Sequence, residues 1–212
     1  MKLALIGASG FVGSAILKEA IARGYEVSAI TRDSGKVAKE AGVTAFAIDV
    51  NDTDALAAAI SGHDAVINSF NAGWTNPDLY NAFIKGCESI QAAAKKADVK
   101  RLLVIGGAGS LFIDGKQLVD SPEFPAEWKT GATAARDYLT KLREEQELDW
   151  TFLSPAINLH PGARTGTFRL GTESPVFNEE GKCEISVEDL AVAAVNELEN
   201  KQYIKARFTV GY

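Results

Sequence analysis

Leu3-Ala-Leu-Ile-Gly-Ala-Ser-Gly-Phe-Val-Gly-Ser14 decides how the rest of the chain is read. Here a short apolar run without helical periodicity meets three glycines, Gly7, Gly10 and Gly13, spaced by three. Leu3 to Ile6 suit a strand buried on both faces of a parallel sheet and bounded by Gly7. Beyond the turn, Val12, Ile16 and Ala20 repeat at i+4, as do Gly13, Leu17 and Ile21. That pattern gives a helix with one face for the sheet, stopped by Gly24. Each glycine stands where a side chain would obstruct: Gly7 in the tight turn, Gly10 where a pyrophosphate approaches, Gly13 where helix lies against strand. The anion would rest on free N–H groups and the positive end of the helix. Strand, turn and helix in this order predict a dinucleotide site that includes Ser9, Phe11 and Val12.

The composition sets limits on everything else. With 212 residues, 46% of them hydrophobic, the chain can bury one sizeable core, so a single domain over 1–212 is expected. A formal charge of −6 without any Lys/Arg block argues against a nucleic-acid surface. The first apolar run is too short for a signal peptide or a membrane span. Two cysteines, Cys87 and Cys183, have no paired spacing, which fits a cytoplasmic protein without disulfide or metal framework.

Strands and helices then alternate along the chain. Glu26 to Thr31 reads as a second strand, and Arg32 at its tip suits a 2′-phosphate, pointing to NADPH. Asp33 either caps a helix starting near Ser34 or faces the ribose, where it would favour NADH. A third strand, Val43 to Ile48, ends in Asp49-Val50, where Asp49 could accept from an adenine amino group. Thr53 and Asp54 are placed to cap the next helix, leaving Asp49 free. His63 falls on the opposite edge and reads as a surface residue. Asp64 to Ser69 forms a fourth strand, and the loop Phe70 to Pro77 follows on the ligand edge, with Ser69 and Phe70 beside the cofactor. Trp74 in that loop either covers a planar substrate or anchors packing. The helix from about Asp78 to Ala97 carries Leu79, Phe83, Cys87, Ile90 and Ala94 in one apolar stripe, placing Cys87 in the core.

Lys100 to Ile105 is a fifth strand, followed by Gly106-Gly-Ala-Gly-Ser110, a small-residue floor for a nicotinamide ring. A helix is expected from about Gly131 to Glu147, and a sixth strand from Trp150 to Leu153 runs into Ser154-Pro155-Ala156, with Pro155 at the cofactor edge. Segments at about 111–130 and 156–184 fall on the substrate side. The second holds the candidate ligand contacts His160 and Arg164, although a His before Pro161 also suits a structural role. Ser186-Val-Glu-Asp189 has the form of a helix N-terminus, and Phe208 to Tyr212 closes the chain as a strand. The whole predicts a Rossmann-type doubly wound parallel sheet with a small substrate-side insertion, its crevice beside the first strand.

These residues resemble a known group. Gly7-Ala-Ser-Gly-Phe-Val-Gly13, Thr31-Arg32, Asp49-Val50 and Asp149-Trp-Thr-Phe-Leu-Ser-Pro-Ala156 look like the atypical short-chain dehydrogenase/reductases. Pro161-Gly-Ala-Arg-Thr-Gly-Thr-Phe-Arg-Leu-Gly171 and Arg207-Phe-Thr-Val-Gly-Tyr212 are similar to the bacterial NAD(P)H-flavin reductase family, relatives of mammalian biliverdin reductase B. The broader superfamily protonates carbonyls with a Tyr-x-x-x-Lys pair and a Ser after the fifth strand. In this chain Tyr138 is followed by Lys141, one residue too near. By position, Pro125 and Lys129 stand where the pair belongs, and Ala108 stands for the serine, with Ser110 two residues on. Ser110 and Lys129 are thus the catalytic candidates that remain. A missing proton donor favours an acceptor that takes hydride and draws its proton from water: a free flavin (FMN, FAD or riboflavin) or a quinone, bound as substrate and not held permanently. Two alternatives stay open. One is an NADP(H)-binding redox sensor without turnover; the other is a carbonyl reductase or epimerase using Tyr138 and Lys141 or Ser110. The sequence leaves the oligomeric state open.

Overall fold

A computed structural model describes residues 1–212. β1 (Lys2–Ile6) passes through the glycine turn into α1 (Phe11–Ala22), followed by β2 (Glu26–Thr31), β3 (Val43–Ala47), α2 (Thr53–Ile60), β4 (Ala65–Asn68), α3 (Leu79–Lys96) and β5 (Arg101–Ile105). A hairpin of β6 (Phe112–Ile113) and β7 (Lys116–Gln117) precedes α4 (Ala126–Leu142). Then come β8 (Asp149–Ser154), β9 (Asn158–His160), β10 (Arg169–Gly171), β11 (Glu184–Ser186), α5 (Val187–Asn200) and β12 (Ala206–Gly211).

The central sheet has eight strands in the order β10-β12-β8-β5-β4-β1-β2-β3. All are parallel except β10, which pairs antiparallel with β12. Strand order reverses between β1 and β4, so the ligand crevice of a doubly wound sheet opens there, outside the carboxyl ends. Alternation along each strand feeds two cores. Leu3 and Leu5 join Leu103, Leu153 and Phe208 under α1 and α5, with Ile16, Leu17, Leu190 and Ala194 above them. Ala4 and Ile6 join Val66, Leu102, Val104 and Phe152 under α2, α3 and α4, with Leu56, Phe83, Cys87 and Tyr138 above. Truncating any one of the fully buried leucines would cost about 2–5 kcal/mol. No helix is long and apolar enough to cross a membrane.

Several local expectations are corrected. α4 starts and stops five residues earlier than the apolar pattern suggests, with Pro125 as its N-cap. Gly131, expected at the start of the helix, sits inside it, where an added Cβ would lie 2.5 Å from the Trp74 ring. The helix ends when the Glu145 carboxylate accepts from the Glu147 N–H (2.6 Å) and from Gln91 (2.7 Å), turning the chain toward β8. Asp52, not Thr53 or Asp54, caps α2 by accepting from the Ala55 N–H at 3.0 Å. Thr53 instead meets Ser89 on α3 (2.6 Å), whose hydroxyl donates to the Val50 carbonyl (2.6 Å). The helix after Asp33 is a single tight turn, Ser34–Lys36. His63, expected on the surface, is half-buried, its ring linking Ile60 O (2.9 Å) to Ser28 Oγ (2.8 Å). As expected, Ser186 Oγ caps α5 by accepting from the Asp189 N–H at 3.0 Å.

Both substrate-side segments acquire structure. The first contains the β6–β7 hairpin and packs under α4; the second forms a two-stranded parallel sheet, β9 with β11, and contributes β10 to the edge of the main sheet.

Candidate functional site: a dinucleotide crevice

The crevice begins with backbone crowding. Gly7 has φ +79°, and a Cβ there would lie 2.3 Å from the Ser69 carbonyl oxygen; a Cβ on Gly13 would lie 2.0 Å from the Gly7 carbonyl oxygen. The β1 turn, the end of β4 and the first turn of α1 therefore meet at distances only glycine permits. Gly10 is different, since its nearest neighbour would be Gly7 O at 3.3 Å. The crowding is milder there, and space in front of the helix is what glycine preserves. No side chain caps α1. The first helical bond runs from the Ser14 N–H to the Gly10 carbonyl (2.8 Å), so the N–H groups of Phe11, Val12 and Gly13 have no partner within the protein. Ser9, Gly10 and Phe11 are exposed at this mouth. Unpaired N–H groups at a positive helix end are suited to a pyrophosphate.

Three features lie beside this turn at the carboxyl end of β2. Thr31 is buried, and its hydroxyl has no hydrogen-bond partner. By strand alternation with Val27 and Ala29, it points to the α1 side of the sheet. Arg32 is exposed and makes no ion pair, whereas Asp33 accepts from the Gly35 N–H at 3.1 Å. Of the two residues competing at the strand tip, the acid is thus tied into a turn and the guanidinium is free. An orphaned hydroxyl, an unpaired cation and an uncapped helix end fit the adenosine and phosphate groups of a nicotinamide dinucleotide.

Other predicted positions have internal partners. Asp49 is at the expected strand end, but Oδ1 accepts from both the backbone N–H and the Nδ2 of Asn51 at 2.9 Å. Those bonds hold its carboxyl below the usual range, burial opposing them and Arg32 and Lys85 adding to them. Only one oxygen of Asp49 is left for a base, and Val50 beside it is buried. Phe70 keeps its backbone beside Gly7 while its ring packs on α3. Its ring stacks on Phe83 (6.2 Å) in space left by Gly86, and its N–H donates to Asn68 Oδ1 at 3.0 Å. Asn68 itself, unnoticed in the sequence, is almost fully buried and fixes this turn. Cys87 behind it is core, and burial pushes its thiol up to about 12.

At the far end of the crevice, Gly106 is required by Phe152, whose ring would be 2.0 Å from an added Cβ. The glycine there serves packing below the expected nicotinamide floor. Pro155 is buried at the same edge. The candidate proton donors are elsewhere engaged. Ser110 is buried and accepts from Arg207 at 3.1 Å. Tyr138 is fully enclosed, its hydroxyl directed at Gln91 Oε1 (3.2 Å) and Cys87 O (3.4 Å), and burial raises its pKa well above the usual value. Lys141, three residues on, lies outside and pairs with Glu88 at 2.5 Å. Lys129 is exposed on the first turns of α4 without an ion pair.

On the substrate side, Trp74 stands perpendicular to Trp128, ring centroids 4.8 Å apart. Trp128 escaped sequence reading because its stretch reads as irregular. His160 directs Nδ1 at the Pro161 carbonyl, 3.0 Å away. Arg164 forms a two-point ion pair with Glu19 of α1 (2.6 and 2.9 Å), and Glu19 also takes Arg23 (2.7 Å). The Arg164 guanidinium beside Glu19 holds that carboxyl below its ordinary value against the effect of burial. Asp189 accepts from the N–H groups of Thr165 (2.9 Å) and Gly166 (2.7 Å) and from the Tyr212 hydroxyl (2.8 Å). The Arg-Thr-Gly stretch is therefore a clasp onto α1 and α5, in which Arg164 is paired with Glu19 while its side chain stays 55% exposed.

The family model described as NAD(P)H-binding matches residues 7–201. The uncharacterised protein YwnB of Bacillus subtilis is 40% identical over 214 residues, covering 99% of this chain and 98% of that protein. Among solved structures, a protein from Streptococcus pneumoniae provisionally named an NADH-flavin reductase is 38% identical, with a TM-score of 0.88 over 100% of this chain and 99% of that one. One from Bacteroides thetaiotaomicron, provisionally named an epimerase, is 43% identical, with a TM-score of 0.93 over 100% and 96%. Sequence, fold and crevice agree: the chain belongs to the NAD(P)H-binding oxidoreductase family, on a Rossmann fold of the atypical short-chain dehydrogenase/reductase type.

Proposed function

We propose that this protein transfers a hydride from NADPH, with NADH as the second choice, to a free flavin or a quinone-like planar acceptor. One observation carries the choice of acceptor: a built dinucleotide crevice is combined with the lack of a free tyrosine or serine hydroxyl of the carbonyl-reducing pattern, Lys129 being the one candidate left without an internal partner. Tyr138 is sealed in the core, Lys141 is paired on the outside and Ser110 holds Arg207. Tyr80 donates to Asp137 at 2.8 Å, and that bond raises its pKa, which makes it a poorer acid. A carbonyl would need such a donor. An oxidised flavin or quinone can take its proton from water.

When bound, the nicotinamide cofactor supplies the hydride. The chain's own work is to bind and orient: the N–H groups of Phe11 to Gly13 and Arg32 hold the dinucleotide at one end, and the segment after β5 borders the nicotinamide ring and its acceptor at the other. Arg32, free of internal partners, favours the 2′-phosphate through a charge-assisted bond. The reading is tested by following nicotinamide absorbance with purified protein, NADPH or NADH, and FMN, FAD or riboflavin in excess. Flavin-dependent oxidation supports it. Tight NADPH binding without turnover on any flavin or quinone overturns it and favours a redox sensor.

A further inference from the structure

Two of the three indoles are left at the surface, and they stand together. Trp150 is buried at 2% exposure, whereas Trp74 and Trp128 are 52% and 47% exposed. Their planes meet at 88° with centroids 4.8 Å apart. Position ties the pair to the crevice. A Cβ on Gly107, in the stretch after β5, would lie 3.7 Å from the Ala135 side chain; one on Gly109 would lie 2.9 Å from that of Ala132; one on Gly131 would lie 2.5 Å from Trp74. The stretch after β5 and Trp74 thus pack on the same turn of α4, residues 131 to 135, which brings the indole pair to the element that borders the expected nicotinamide end. Gly131 weakens the helix it sits in, yet only a glycine there lets Trp74 lie on α4. Neither indole fills a core.

We propose that Trp74 and Trp128 form the seat of the electron acceptor, a corner of two perpendicular indoles that takes a fused planar ring system by face-to-face contact with one and edge contact with the other. This rests on the acceptor class proposed above. Such a corner selects for ring area: a two- or three-ring system covers an indole face, whereas a single ring covers half of it and gains correspondingly less. It also prefers the electron-poor oxidised ring over the electron-rich reduced product, which assists release.

The test uses riboflavin, which carries no phosphate, and the full-length protein with Trp128→Ala, Trp74→Ala and Trp128→Phe variants, each checked by circular dichroism. Riboflavin is expected to quench the surface indole emission saturably in the wild type. Either alanine variant should lose most of that quenching and raise the KM for riboflavin about tenfold, as expected for a lost stacking face, with NADPH affinity unchanged. Trp128→Phe should restore most of the affinity, and the KM for a single-ring benzoquinone should move much less. Wild-type riboflavin reduction with unaltered KM and quenching in both alanine variants overturns the seat while leaving the proposed function standing. Saturable quenching without reduction of any flavin or quinone supports the seat and overturns the function; neither quenching nor reduction overturns both.

Discussion

Replacing Tyr138 with Phe separates hydride transfer to a flavin from carbonyl chemistry. In carbonyl-reducing relatives of this fold a tyrosine hydroxyl supplies the proton, and removing a positioned acid costs typically 10²–10⁴-fold in rate. Here the hydroxyl is in the core between α3 and α4, 3.2 Å from Gln91 Oε1 and 3.4 Å from the Cys87 carbonyl. Those are long bonds between neutral groups, so their loss costs about 1 kcal/mol, at the low end if the Gln91 side chain turns to another partner. For a chain of this size that corresponds to a fall in Tm of about 2–4 °C. The ring, with its edge-to-face contact to Phe83 at 6.5 Å, remains in place. Tyr138→Phe should therefore melt slightly earlier and reduce riboflavin at a rate within about twofold of wild type. A loss of two orders of magnitude in kcat, with the melting temperature nearly unchanged, would refute the assignment of Tyr138 to the core and the reasoning built on it.

Other consequences can be checked independently. Arg32→Ala should raise the KM for NADPH by about 10- to 100-fold, the worth of a charge-assisted bond to a phosphate, and leave NADH almost untouched; steady-state kinetics with both cofactors reads this directly. Gly13→Ala places a Cβ 2.0 Å from the Gly7 carbonyl oxygen, so α1 must shift off β1. Losses of about 1–3 kcal/mol in stability and of most NADPH affinity should appear in thermal melts and in titrations. Glu19, whose carboxyl is held below its ordinary value of 4.5 by Arg164, contributes stability that is present above that pH and is lost as pH falls through the lowered value. Glu19→Gln should thus flatten the acid limb of a plot of Tm against pH below about 5, and an unchanged limb would count against the clasp.

The sheet was legible because its strands are nearly continuous apolar runs and its glycines sit where backbone meets backbone, as Gly7 and Gly13 do against Ser69 and each other. What eluded the sequence depended on partners distant along the chain. The pairing of Arg164 is not legible because nothing near it signals Glu19, on a helix at the other end of the chain. Asp49 looked free because the Asn51 amide that occupies it is an ordinary loop residue. Phe70 keeps its backbone beside Gly7, but its ring goes to α3, where Gly86 makes room for it, a partner sixteen residues on that the sequence does not signal. The start of α4 was set too late because the stretch with Pro122 and Pro125 reads as irregular, although Pro125 caps the helix and Gly131 seats Trp74 within it. With α4 begun too late, Trp128 lost its place beside Trp74.

The most direct test of the account remains the oxidation of NADPH by the wild-type protein with excess free flavin, run beside Arg32→Ala. Rapid oxidation that requires the flavin and loses its preference for NADPH in the variant is the predicted result. Binding of NADPH without oxidation, across FMN, FAD, riboflavin and quinones, would contradict it.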